Sequence, residues 1–90
     1  MNYYVYLILT KSGKNYISYV GYTNNLINRL KKHNSSRGAK FTKSRKWKII
    51  YSKKYNSKSK ALKEEYRLKK DYKKRKKIKT HYLLKYEKTT

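Results

Sequence analysis

The stretch Tyr19–His33, YVGYTNNLINRLKKH, changes character halfway along. Tyr19 and Val20 end a segment rich in aromatic and β-branched residues, which favour a pleated strand. Gly21 relieves crowding where strand gives way to turn. Thr23, Asn24 and Asn25 are helix N-cap residues, because their side chains accept from the open amides of a first turn. Beyond them Leu26, Ile27 and Leu30 fall on one helical face, with His33 near the same arc. Arg29 and His33 are one turn apart and project the same way.

Working outward, Tyr3–Leu9 (YYVYLIL) reads as a strand, Lys11–Asn15 as a turn, and Tyr16–Val20 as a second strand, which together predict a hairpin. Asn34–Gly38 ends the first helix, and Ala39–Lys46 is a loop or one short turn. Trp47–Tyr55 is a third strand. Asn56–Ser59 caps a longer helix that begins near Lys60. Ile78, Tyr82, Leu83 and Tyr86 mark one more amphipathic helix within a heavily basic segment. The order strand, strand, helix, strand, helix, helix predicts an α+β fold: a small antiparallel sheet with helices on its faces. Residues 1–80 are expected to form the domain and 81–90 a basic tail or helix end.

Ninety residues allow one domain with a modest core. The chain has no Cys, which removes disulfides, thiolate zinc sites and Cys nucleophiles. No apolar run is long enough to span a bilayer, and the start of the chain lacks a secretion-signal pattern. The expectation is an intracellular, non-secreted protein. The net charge is +23, from 27 Lys and Arg against 4 Asp and Glu. Such a field attracts polyanions, with nucleic acid the first partner to consider. A membrane surface is a poorer match, because no segment pairs a broad apolar face with a basic one.

With so few carboxylates, each can be weighed singly. At about 100° per residue with Ala61 as origin, Leu62 falls at about 100°, Tyr66 at about 140°, Leu68 at about 340° and Tyr72 at about 20°. Glu65, at about 40°, lies inside that apolar arc, and Glu64, at about 300°, lies outside it. An inward carboxylate needs a cation or hydrogen bonds. Glu65 either pairs with a lysine such as Lys69, one turn on, or holds a divalent metal at the edge of a cleft. Mg²⁺ needs only one or two protein carboxylates when phosphate and water complete its shell.

The ordered set Tyr6, Tyr19, Arg29, His33 and Glu65 resembles the GIY-YIG nuclease superfamily, in particular its short stand-alone members. Val5-Tyr6-Leu7 stands at the first half of the name motif and Tyr19-Val20-Gly21 at the second. The segments GAKFT (Gly38–Thr42) and ALKEEYRLK (Ala61–Lys69) resemble later blocks, so the likeness runs over about residues 3 to 78. The resemblance implies a three-stranded antiparallel sheet flanked by helices. It implies metal-dependent endonuclease cleavage of DNA phosphodiesters with one Mg²⁺ or Mn²⁺ ion. Tyr6 would be the general base or its partner, and Tyr19 would hydrogen-bond in the same cluster. Arg29 would clamp the scissile phosphate, His33 would assist proton movement, and Glu65 would hold the metal. All five would meet around that ion at one sheet face. Nearby cations and a bound metal are expected to favour the phenolate and lower the tyrosine pKa. Lys40, Lys43 and Lys69 are candidate DNA contacts. A bare domain carries few base-reading elements, so selectivity would come from branched or structured DNA or from a protein partner. The alternative is a catalytically weak nucleic-acid-binding module with the same fold, in which the tyrosines are sheet aromatics and Arg29 a solvated cation.

Overall fold

The computed structural model describes residues 1–35 and 45–86. Strands β1 (Tyr3–Ser12) and β2 (Asn15–Thr23) form the expected hairpin, followed by α1 (Leu26–Asn34), β3 (Lys48–Tyr55), α2 (Lys58–Lys70) and α3 (Tyr72–Tyr86). The hairpin closes at Gly13, whose φ of +63° suits a residue without a Cβ. The three strands are antiparallel in the order β2-β1-β3. β1 is therefore central, and its run from Val5 to Thr10 is buried throughout.

Period-two alternation sends that run to two separate cores. Val5 and Leu7 pack with Val20, Ala61 and Leu68 under α2. Tyr6 and Ile8 pack with Trp47, Tyr19, Leu26 and Leu30 under α1. A register shift lies between Leu7, paired with Tyr51, and Ile8, paired with Ile49. Ile50 is the extra residue of this β-bulge. The bulge lets two consecutive residues, Ile50 and Tyr51, serve the same core on the α2 side, while Ile49 joins the α1 side.

Each helix starts on a side-chain cap. Asn25 accepts from the amide of Asn28 at 3.1 Å, Ser57 from that of Lys60 at 3.3 Å, and Asp71 from that of Lys74 at 3.0 Å. Arg75 then donates back to the carbonyls of Leu68 at 3.0 Å and Lys69 at 3.1 Å, closing the end of α2. α3 runs unbroken through residues 80 and 81.

The expected apolar arc of α2 needs correction. Ala61 and Leu68 are buried, but Leu62, Tyr66 and Tyr72 are exposed. The true inward axis runs through Ala61 and Leu68, so Glu64 and Glu65 flank it about equally, at about 50° to either side. Both glutamates are accordingly half-buried, with side-chain exposures of 26% and 17%. They face different ways. Glu64 pairs with Arg67 at 2.9 Å, and its charge raises the pKa of Tyr55 on β3, behind burial and Tyr51. The charge of Glu65 is felt instead at Tyr6 on β1.

Candidate active site

The site is built on the crossing of β1, β2 and α1. Tyr6 stands opposite Gly21 in the ladder, and Ile8 opposite Tyr19, so both tyrosines occupy the α1 face. The Tyr6 ring lies over Gly21, which takes the glycine for a reason different from the one expected. β2 continues to Thr23, and the crowding at Gly21 comes from the Tyr6 ring. A Cβ there would stand 2.5 Å from Tyr6 Cζ and closer still to its hydroxyl oxygen.

α1 supplies two partners to that hydroxyl. Its oxygen lies 2.8 Å from His33 Nε2 and accepts from Arg29 Nε at 3.3 Å. Since a guanidinium can only donate, the hydroxyl proton is left for the imidazole. Tyr6 and His33 are buried, at 2% and 0% exposure, while Arg29 and Tyr19 are half-buried. The His33 ring meets Tyr6 and Tyr19 edge-on, with centroids 5.8 and 5.4 Å away. Trp47, which precedes β3, edges Tyr19 at 6.5 Å. Asn34 fixes that tryptophan by accepting from its amide at 2.6 Å and donating to its carbonyl at 3.3 Å. No spacing rule points to Asn34 or Trp47 from sequence, because their contact joins the end of α1 to the entry of β3.

The electrostatics follow from burial. Desolvation, then the Arg29 charge, lowers the His33 pKa from 6.5 to about 4, so the imidazole is neutral at pH 7. Desolvation raises the Tyr6 pKa, and the Arg29 hydrogen bond and charge only partly oppose it. Tyr19 and Glu65 add to the rise. Among the protein's own groups, burial therefore outweighs the lowering expected from nearby cations. Most lysines face water, where their fields are screened, whereas loss of hydration at Tyr6 is local and complete.

Four of the five motif residues are thus brought together: Tyr6, Tyr19, Arg29 and His33. Glu65 reaches the site differently. It projects from α2, which packs on the other face of the sheet, so it is not in the same side-chain layer. Its link to the cluster is its charge, sensed at the Tyr6 hydroxyl. Its ion pair is with Lys69 at 3.8 Å, the partner expected one turn on. Lys69 is half exposed and engaged with this carboxylate, while Lys40 and Lys43 lie outside the described residues.

Among the described residues no group of three or more His, Asp or Glu side chains could cage a metal. Glu65 suits the other mode of Mg²⁺ binding: a single, half-buried hard oxygen ligand with only a long ion pair to displace.

The small α+β domain thus seats a tyrosine hydroxyl between Arg and His, over a glycine of the neighbouring strand. The family model described as the GIY-YIG catalytic domain matches residues 2–88, and the chain belongs to that family. Membership places it in a nuclease superfamily whose substrates are nucleic acids. It is 43% identical over 68 residues to a UPF0213 protein of Oceanobacillus iheyensis, covering 74% of this chain and 76% of that one. A UPF0213 protein of Bacillus subtilis is 36% identical over 78 residues, covering 86% and 76%. The solution NMR structure of a UPF0213 protein from Bacillus halodurans is 34% identical and covers 89% of this chain and 84% of that one, with a TM-score of 0.48. Among the described residues no helix is long and apolar enough to cross a membrane.

Proposed function

We propose that this protein is a metal-dependent endonuclease that hydrolyses DNA phosphodiesters, acting inside the cell on branched or otherwise structured DNA or with a partner that supplies specificity. The observation that carries the reading is the Tyr6 hydroxyl held between Arg29 Nε and the neutral imidazole of His33. A proton leaving Tyr6 has an acceptor in place, and the phenolate left behind has a cation beside it. Tyr6 can then take a proton from an attacking water as His33 takes its own. Arg29 Nε is engaged with Tyr6, while the terminal nitrogens of its fork suit two phosphate oxygens and the charge that grows on them. A bound phosphate would neutralise Arg29 and remove one cause of the low His33 pKa, making the imidazole a better acceptor when substrate is present. Tyr19 packs against the His33 ring and holds it. Glu65 would hold the Mg²⁺ or Mn²⁺ ion. When bound, that ion polarises the phosphate and stabilises the leaving oxygen. Lys40, Lys43 and Lys69 are assigned to the DNA backbone.

The decisive assay incubates the purified protein with supercoiled, linear and branched DNA, with Mg²⁺, Mn²⁺ or chelator. Tyr6→Phe, Arg29→Ala and Glu65→Ala should each lose cutting, and Glu65→Ala should still retard DNA on a gel. Equal cutting by Glu65→Ala and the parent would remove that carboxylate from the mechanism. Binding should weaken steeply with salt, since each phosphate contact releases counterions; a flat salt dependence would contradict a phosphate-led interface.

The burial and raised pKa of Tyr6 favour a second reading, a binding module that cuts weakly. It predicts strong retention on DNA with no metal-dependent cutting in any arm of the same assay.

A further inference from the structure

On the sheet face away from the Tyr6 cluster, β3 and α3 border a groove of about 610 Å³. Its floor is apolar, with Ile50, Ile78, Tyr51 and Tyr82, and its rim carries Lys74, Lys77 and Lys85. Tyr82 is also a wall of a second hollow, of about 400 Å³, at the hairpin end of the sheet. Lys11, Lys46 and Lys48 rim that hollow around Tyr16. Among the described residues no carboxylate lines either one. The two form one tract with Tyr82 at its centre.

Tyrosines and lysines are interleaved along the tract. Lys74 lies 5.7 Å from the Tyr51 ring centre, Lys85 5.4 Å from that of Tyr86, and Lys11 5.9 Å from that of Tyr16. The Tyr82 and Tyr86 ring centres lie 4.9 Å apart with the planes tilted by 40°, and Tyr86 is 61% exposed. The charge pattern calls for a polyanion, and the apolar floor calls for flat apolar groups on that polyanion. A duplex presents phosphates outside and keeps its bases stacked within, so it would leave the floor unused. A second copy of this chain is opposed by +23 meeting +23. A bilayer is poorly matched, because Lys73, Lys74, Lys76 and Lys77 surround the first turns of α3.

We infer that the tract centred on Tyr82 binds single-stranded nucleic acid, with bases stacking on Tyr82 and Tyr86 and the backbone following the lysine rim. This is the combination of aromatic platforms and a cationic channel that single strands require. The surface is separate from the Tyr6 cluster, and it stands whether or not the chain cuts DNA.

The test is fluorescence anisotropy with the full chain, using a short labelled oligothymidylate, the matching oligouridylate, and a duplex of equal length. Tyr82→Leu keeps apolar bulk but removes the ring face, and should weaken binding of the single strands about tenfold, within the range for one base–aromatic stack. Tyr82→Phe keeps the ring and should bind like the parent, and duplex affinity should be unchanged in both. Tyr86→Leu, at an exposed position, should repeat the loss of single-strand binding without touching the core. Parental single-strand affinity in Tyr82→Leu and Tyr86→Leu would overturn the inference. So would equal losses for duplex and single strand, or equal losses in the Leu and Phe variants of Tyr82. Tyr82-dependent capture of phosphatidylserine vesicles or polyglutamate, with no such dependence for oligonucleotides, would assign the tract to those partners instead.

Discussion

Gly21→Ala is the sharpest probe of how the site is held. The added Cβ would stand 2.5 Å from Tyr6 Cζ and 3.0 Å from Cε1, where ordinary carbon contacts are about 3.5–4.0 Å. The ring must therefore retreat by about 1 Å. It is 2% exposed, and the space between it, α1 and Ile49 holds no room for a water. Overpacking of this kind costs about 1–3 kcal/mol. If the hydroxyl leaves His33 Nε2, the buried nitrogen adds a further ~1–3 kcal/mol. The expected loss with both contributions, ~2–6 kcal/mol, is large beside the ~5–15 kcal/mol stability of ordinary domains. Urea unfolding measures it. Placing the same Ala in a Tyr6→Leu background removes the ring that the Cβ strikes, so there it should cost little, a coupling of at least ~1 kcal/mol in the double-mutant cycle. Cutting should suffer as well, because a displacement of about 1 Å at reacting groups can cost about 100-fold. A Gly21→Ala protein as stable as the parent, or strictly additive energies in the cycle, would refute the packing of Tyr6 on Gly21.

Three further outcomes follow from the geometry. His33 has a folded pKa of about 4 against its ordinary 6.5, so the unfolded chain binds its proton first; stability is full above pH 6.5 and falls as pH drops toward 4. The loss approaches roughly 3 kcal/mol; it should be absent from His33→Gln and so appear as the pH-dependent difference between parent and variant in unfolding curves at stepped pH. Asn25→Ala removes the cap that accepts from Asn28 at 3.1 Å and should cost about 1 kcal/mol, with Asn25→Ser near neutral by thermal unfolding. Asn34→Ala breaks both bonds to the Trp47 backbone and should cost ~1–3 kcal/mol, with faster hydrogen exchange at the Trp47 amide.

The elements were legible in the chain because local chemistry sets them. Alternating aromatic and β-branched residues with Gly13 between them specify a hairpin, and Asn25 and Ser57 stand where helices α1 and α2 begin. Arg29 and His33 share a face by helical period alone, which explains why they reach the same hydroxyl. The two glutamates of α2 show where period stops helping. Both lie near the buried axis, and only the strands beneath decide that the charge of Glu65 is felt at Tyr6 and that of Glu64 at Tyr55.

Three further properties belong to the tertiary structure. β1 is the central strand, which buries Val5 through Thr10 on both faces and separates Tyr6 from α2. Gly21 is a glycine because a ring from the next strand crosses it. The Tyr6 pKa moves up instead of down, since desolvation depends on what surrounds a group in space and a count of lysines does not measure it. Sequence sets which backbone conformation each segment prefers, through interactions a few residues long. Burial, pKa and the meeting of distant side chains depend on which surfaces the packed chain removes from water, and that is decided only when the layers close.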